Sequence, residues 1–197
     1  MYPSGGAVRA VLRHTPTTQS AHIPAREQSR SPVLAAQRVP VVNLTMTKRL
    51  EISRDITAPP EVAYAAISDV TRMGEWSEEC NACEWHEGYD GPVVGATFDG
   101  HNRQGEHEWT TQGKVIEADP GRAFSFECSM MDFHYSTWGY RIEPTESGCR
   151  VTEWNEDLRP ESAMEFSKVL SGVDDRTERN RQTMSGTLER LAAALEK

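Results

Sequence analysis

The sequence of 197 residues predicts an α+β domain, a curved seven-stranded antiparallel sheet wrapped around a long C-terminal helix, with two short helices after the first strand. Three observations support this fold class. An alternating run near residue 50 precedes two short helical segments, six extended runs separated by turn-forming residues occupy residues 82–157, and helical periodicity runs from 174 to 196. A series of strands followed by one long helix is typical of domains whose helix covers one face of the sheet.

The first strand and the two short helices are predicted within residues 49–76. Residues 49–57 alternate between apolar and polar side chains, which indicates a strand with one buried face. Two prolines then end this strand and suit the first turn of a helix over 61–67, which is expected to bury Val62, Ala66 and Ile67. A second short helical segment, weakened by a glycine, is expected over 69–76.

Six further strands are predicted between turn signals that are rich in glycine, proline and acidic residues, at 82–87, 96–102, 106–118, 123–130, 134–143 and 149–157. Successive side chains of a strand point to opposite faces, so the alternation also predicts an inner face. The aromatic, apolar, small and polar side chains of that face are Phe98, Gly100, Asn102, Trp109, Thr111, Gly113, Val115, Phe124, Phe126, Cys128, Trp138, Tyr140 and Ile142.

Two helices are predicted at the C-terminal end. Ser162 followed by Glu165 is a capping-box pattern that predicts a helix through Leu170, and Gly172 is expected to interrupt it. The second helix, over residues 174–196, has an inward stripe at three- and four-residue spacing: Val173, Thr177, Asn180, Met184, Leu188, Leu191 and Leu195. Leucines dominate only the C-terminal half of this stripe. We therefore expect that half to pack on the sheet and the first half to cover a cavity.

Charge divides the chain into two parts. Residues 1–47 contain five arginines and one glutamate, a charge of +4, which leaves −13 for the other 150 residues out of a total of −9. Because the first part lacks hydrophobic periodicity, it is predicted to be a disordered N-terminal extension, with a transit peptide or a leader before a true start at Met46 as open alternatives. The domain at 48–197 is acidic, which argues against binding to nucleic acid.

The four cysteines are Cys80, Cys83, Cys128 and Cys149, and they are expected to be free thiols of a cytoplasmic protein, since no secretory signal is recognisable. Cys80 and Cys83 form a C-x-x-C motif. Residues three apart on an extended strand point to opposite faces, however, which argues against a metal or redox site. No apolar stretch of about 18 residues is present, so no membrane insertion is expected.

Five segments of the domain resemble the SRPBCC superfamily, the START and polyketide cyclase/dehydrase-like proteins with a helix-grip fold: Asp55-Ile-Thr-Ala-Pro-Pro-Glu-Val62, Ile67-Ser-Asp69, Met73-Gly-Glu-Trp76, Glu117-Ala-Asp-Pro-Gly-Arg122 and Thr187-Leu-Glu-Arg-Leu191. The resemblance extends over about residues 48–197 and implies a hydrophobic tunnel between the sheet and the C-terminal helix. Members range from lipid and hormone carriers through aromatic cyclases and oxygenase domains to chaperone co-activators and toxin-antitoxin components. The resemblance therefore does not select one function.

Candidate site residues are those that the alternation and the helical periodicity direct into this tunnel. The ligand-binding set is Phe98, Asn102, Trp109, Thr111, Phe126, Trp138, Tyr140, Thr177, Asn180 and Met184. For the aromatic side chains, core packing is the alternative interpretation. The two asparagines are interpreted as ligand contacts, because a buried amide needs a hydrogen-bonding partner.

The candidates for acid–base catalysis are Tyr140, which belongs to this set, and Glu153, which does not. The direction of Glu153 is open, because the residues on both sides of its strand suit the interior equally well. A carboxylate that points into an apolar tunnel would have a pKa raised by desolvation. Such a group could transfer protons in an aldol cyclisation or a dehydration.

The sequence favours binding of a small hydrophobic ligand such as a lipid, a polyketide or an aromatic compound. The alternatives are a polyketide cyclase or dehydratase that acts in the same cavity, and an interaction with a protein partner through the acidic surface. Motifs for nucleotide binding, zinc proteases and serine hydrolases are absent. The histidines on or beside strands are not expected to bind metal, and His101 is expected to face outward, so neither a metal nor a cofactor is predicted.

Overall fold

The computed structural model describes residues 49–197, and the predicted disorder of residues 1–47 lies outside this range. Its elements are, in chain order, β1 (Arg49–Ile56), α1 (Pro60–Ser68), a 3-10 helix (Val70–Glu75), β2 (Cys80–Trp85), β3 (Thr97–Gln104), β4 (His107–Asp119), β5 (Ala123–Met130), β6 (Phe133–Thr145), β7 (Gly148–Asp157), a 3-10 turn (Glu161–Ala163), α2 (Met164–Ser171) and α3 (Arg176–Leu195). The predicted α+β fold, with seven strands and a long C-terminal helix, is confirmed.

The strands form one antiparallel sheet in the order β1-β7-β6-β5-β4-β3-β2. Its register shifts between Cys80 and Ala82 in β2, between Val115 and Glu117 in β4, and between Cys128 and Ser129 in β5. Irregularities of this kind bend a strand and increase its local twist. The bent sheet encloses space on one face. The register shifts also interrupt the alternation of side chains from which their directions were predicted.

Helix α1 begins with proline at its first position, where the missing N–H group has no intrahelical partner. Its buried side includes Ala63, Tyr64, Ala66 and Ile67, while Val62 is 45% exposed. The prediction that Val62 is buried is therefore wrong. Val62 precedes Ala63 by one residue, about 100° around the helix, and so lies outside the face that meets the sheet.

The start of α2 differs from the capping-box prediction, which is wrong. Ser162 lies within a 3-10 turn, and α2 begins after Ala163, which has no side-chain capping bond. The interruption at Gly172 is confirmed, since this residue ends α2 with a φ of 68° and donates its N–H to the carbonyl of Lys168 at 2.8 Å. Asp175 then caps α3 by accepting the N–H of Glu178 at 3.0 Å.

The hydrophobic core joins α1, the sheet and the C-terminal half of α3. Leu188 and Leu191 are almost fully buried, and Leu195 packs against the same cluster. The prediction for this half of α3 is therefore confirmed. Among residues 49–197, no helix is long and apolar enough to cross a membrane.

Candidate ligand cavity

A cavity of about 440 Å³ lies between strands β3 to β7 and the N-terminal half of α3, with α2 along one side. Its wall includes the aromatic residues Phe98, Trp109, Phe126, Tyr135, Trp138 and Tyr140, together with polar groups from β3, β4, β7 and α3. Ligand sites in proteins typically have volumes of about 300–1,000 Å³ and mostly apolar walls with a few polar groups. The cavity has these properties.

Nine candidate residues from the sequence line this cavity: Phe98, Asn102, Trp109, Thr111, Phe126, Trp138, Tyr140, Glu153 and Asn180. Thr177 and Met184 do not. Thr177 is exposed, because the residues of this half of α3 that line the cavity are Arg176, Asn180, Thr183 and Thr187, of which only Asn180 belongs to the predicted stripe. Met184 is buried but does not line the cavity.

Glu153 lies in the wall of the cavity, directly across the ladder from Tyr140. The Tyr140 hydroxyl donates a hydrogen bond to Glu153 Oε1 at 3.2 Å, while Oε2 is buried without a partner in the described part of the chain. Burial raises the pKa of Glu153 to about 8, against the opposing effect of the tyrosine hydrogen bond. The raised pKa favours the neutral form of this carboxyl group at pH 7, and its second oxygen has no hydrogen-bonding partner among residues 49–197.

The two asparagines that were predicted to contact a ligand, Asn102 and Asn180, already have protein partners. Asn180 Nδ2 donates to Asn155 Oδ1 at 3.1 Å, and Asn155 Nδ2 donates to the carbonyl of Thr137 at 3.2 Å. Asn102 Nδ2 donates to the carbonyl of Gly100 at 3.0 Å. The structure therefore corrects the interpretation that these amides need a ligand, because β7 supplies the partner of Asn180 and β3 itself supplies the partner of Asn102.

A family model described as polyketide cyclase / dehydrase and lipid transport matches residues 47–196. The chain belongs to this family. The match covers residues 48–196 of the predicted domain and confirms the resemblance to the superfamily. Comparison with curated proteins gives no significant match.

Solved structures with the same fold are similar to this polyketide cyclase/dehydrase family member at low sequence identity. The di-domain ARO/CYC protein StfQ of the steffimycin biosynthetic pathway is 15% identical, with a TM-score of 0.60 over 75% of this chain and 50% of that one. The major latex-like protein 151 of Panax ginseng is 14% identical, with a TM-score of 0.58 over 77% and 99%. Protein CV1439 of Chromobacterium violaceum is 18% identical, with a TM-score of 0.58 over 76% and 98%. These likenesses support the fold.

The charged residues at one end of this family member's cavity are paired with each other. Arg176 Nη1 lies 2.6 Å from a carboxylate oxygen of Glu79, and Arg159 Nε donates to Asp157 Oδ1 at 2.8 Å. The Arg176 guanidinium also lies 5.7 Å from the centre of the Trp109 ring. Because each of these cations already faces a carboxylate, this part of the wall favours an uncharged ligand over an anion.

Several wall residues could not be found by simple alternation. Tyr135 is the extra residue at the register shift of β6 against β5, since Ser129 pairs with His134 and Cys128 pairs with Ser136. Helix α2 contributes Phe166, Ser167, Leu170 and Ser171, and no periodicity connects α2 with the sheet. For Arg176, the one sequence signal for a position in the wall was its spacing of four residues before Asn180, which places both residues on one face of α3.

Cys80 and Cys83 lie on the same side of β2, with their sulfur atoms 3.2 Å apart. The expectation that they face opposite sides is wrong, because the register shift between Cys80 and Ala82 interrupts the alternation. All four cysteines have free thiols in the structure, as predicted. His101 is exposed, as predicted, and residues 49–197 contain no cluster of three or more side chains that could hold a metal ion.

The rim of the cavity is apolar and exposed at the turn between β5 and β6. Met131 and Phe133 in this hairpin are 81% and 48% exposed, and Phe166 of α2 is 54% exposed. Both turn residues, Met131 and Asp132, have positive φ angles, of 50° and 62°. Glycine and asparagine are the usual residues at such positions, so an exposed methionine there adopts an unfavourable conformation.

Met131→Asn is expected to stabilise the domain, because asparagine adopts a left-handed conformation more readily than methionine. A gain of about 0.5–1 kcal/mol corresponds to a rise of about 1–4 °C in the unfolding midpoint of a domain of this size. Thermal unfolding followed by circular dichroism measures this change. Asp132→Asn serves as the control, since aspartate already tolerates the conformation, and equal midpoints for Met131→Asn and wild type would contradict the prediction.

Proposed function

We propose that this member of the family binds a small, predominantly apolar and uncharged molecule, such as a lipid, a polyketide or an aromatic compound, between the sheet and α3. The observation that carries the proposal is the aromatic-lined cavity of about 440 Å³. Most of the surface of its wall is apolar, and the cations at its end are already paired. The proposed contacts are the nine candidate residues that line the cavity.

The proposal is tested with N-phenyl-1-naphthylamine, an uncharged aromatic probe whose fluorescence increases in apolar surroundings. Thr187 lines the cavity and is buried, so Thr187→Phe is expected to fill part of the binding space and weaken probe binding at least tenfold. Thr177→Phe is the matched control, since Thr177 lies on the same helix but is exposed outside this cavity. Absence of probe binding to the wild type, or equal weakening by both variants, would contradict the proposal.

A second candidate function is acid–base catalysis in the same cavity, as in a polyketide cyclase or dehydratase. Glu153 favours it, because a protonated carboxyl with one unpartnered oxygen can donate a proton to a substrate carbonyl or to a leaving hydroxyl. Tyr140 positions this carboxyl through its hydrogen bond. Turnover of a poly-β-keto thioester by the wild type, lost in Glu153→Gln with the probe affinity retained, would support catalysis. Binding without turnover would favour a carrier.

The cysteines and the net charge of the domain bear on the location and the partners of the protein. We propose a cytoplasmic protein, since its four cysteines are free thiols. The acidic charge of residues 48–197 disfavours a nucleic-acid partner. Native mass spectrometry of protein from its own host distinguishes a bound small molecule from a bound protein, which is the remaining alternative.

A further inference from the structure

The motif Cys80-Asn-Ala-Cys83 places two thiols together beside the cavity. The sulfur atoms of Cys80 and Cys83 are 3.2 Å apart, and Cys80 is one of the residues that line the cavity. A disulfide bond has a length of about 2.05 Å, so closure requires a displacement of about 1 Å. The pair is therefore nearly in position to form a covalent bond.

Both sulfur atoms lie close to Gly100 on the neighbouring strand β3. A Cβ atom at this position would lie 3.5 Å from Cys80 Sγ and 3.7 Å from Cys83 Sγ. Cys83 pairs with Gly100 across the ladder, and the register shift in β2 turns Cys80 toward the same place. The local backbone thus brings the two thiols together, against the ordinary alternation of a strand.

The two thiols differ in access and in acidity. Cys80 is partly exposed, and the hydrogen bond from Cys83 lowers the pKa of its thiol. Cys83 is buried, and the same hydrogen bond, together with burial, raises its pKa. An accessible thiol with a lowered pKa beside a buried partner is the arrangement of an attacking cysteine and a resolving cysteine.

We propose that Cys80 and Cys83 form a thiol–disulfide exchange site that reduces low-molecular-weight disulfides. The Cys80 thiolate attacks one sulfur of the small disulfide, whose S–S bond breaks, and the first thiolate leaves and takes up a proton. Cys83 then loses its proton and attacks Cys80 Sγ, which breaks the mixed disulfide and releases the second thiol. Two protein thiols become one disulfide, and the small disulfide becomes two thiols.

This site goes beyond the proposed binding of an apolar molecule and does not depend on it. The exchange uses two sulfur atoms in the wall, and its product is read from the oxidation state of the protein. A protein that binds no apolar probe could still carry out the exchange, and a protein that binds the probe could lack the exchange. The two proposals therefore fail separately.

The test incubates the reduced full-length protein with excess oxidised glutathione, followed by acid quenching, alkylation of the remaining thiols and intact mass analysis. The expected product lacks two hydrogens, retains two alkylated thiols and contains a Cys80–Cys83 linkage in its peptide map. Four remaining thiols, a stable glutathione adduct on the wild type, or a linkage that involves Cys128 would overturn the proposal.

Cysteine variants separate the two steps. Cys83→Ser is expected to stop at a glutathione adduct on Cys80, and Cys80→Ser is expected to lower the rate of reaction at residues 80–83 at least tenfold. Cys149→Ser is the matched control, because Cys149 is a buried free thiol that does not line the cavity. It should form the linkage at the wild-type rate. Far-ultraviolet circular dichroism identifies any variant that does not fold. If a variant does not fold, formation of the Cys80–Cys83 linkage in the wild type decides whether the proposal holds. Equal rates for Cys80→Ser and wild type in folded protein would contradict the assignment.

Discussion

Glu153→Gln is expected to remove most of the pH dependence of stability between about pH 4.5 and 8. The pKa of this buried carboxyl is raised from 4.5 to about 8 in the folded protein. In that window the unfolded chain releases the proton and the folded chain keeps it, so the wild type loses stability as the pH rises. Each pKa unit corresponds to about 1.4 kcal/mol, which gives a loss on the order of 5 kcal/mol across the window.

Glutamine has the shape of the protonated carboxyl and does not ionise. The free energy of unfolding of Glu153→Gln should therefore change little across the window, and at pH 8 the variant should be the more stable protein. Other shifted groups do not produce the same effect. The pKa values of Asp55 and Asp157 are lowered, through their hydrogen bonds to arginine, so their contributions change below about pH 4.

Urea unfolding at pH 5, 6, 7 and 8 measures the difference. Glu143→Gln, which removes an exposed carboxylate from the neighbouring strand β6, is the control and should follow the wild-type profile. Parallel pH profiles for Glu153→Gln and wild type would show that Glu153 is ionised in the folded protein. The acid–base candidate function would then lose its support.

The fold could be predicted because strong turn signals separate each strand from the next. Strand β5 was predicted with the same bounds that the structure shows, and β7 starts one residue before the predicted position. Antiparallel pairing between consecutive strands then follows from short connections. The leucines of α3 likewise placed its C-terminal half on the sheet.

The details of the cavity depend on contacts that alternation does not contain. The central residues of β7, from Val151 to Asn155, are buried on both faces of the sheet, so parity could not decide the direction of Glu153. Arg49 stacks on Trp154 on one face, at 3.9 Å from the ring centre, while Glu153 lines the cavity on the other. The register shifts beside Cys80 and Tyr135 change the directions of side chains locally. The orientation of α3 about its own axis places Thr177 outside the cavity.

Asn180→Leu is expected to destabilise the ligand-free protein by about 2 kcal/mol. From the sequence alone, this amide is interpreted as a ligand contact, and its replacement by leucine would then cost the ligand-free protein little. In the structure Asn180 Nδ2 donates to Asn155 Oδ1, and both side chains are buried. Leucine has a similar volume but no donor, so Asn155 Oδ1 would lose its partner, and a buried unpaired acceptor costs about 1–3 kcal/mol.

A double-mutant cycle with Asn155→Leu isolates this hydrogen bond from other effects of the substitutions. If the two amides act together, Asn155→Leu combined with Asn180→Leu should cost less than the sum of the single variants, by about 1 kcal/mol. Urea unfolding of the four proteins at pH 6 supplies the free energies. Additive costs, within about 0.5 kcal/mol, would show that the two side chains contribute independently. In that case Asn180 would again be free to serve a ligand, and probes with and without a carbonyl group would distinguish that role.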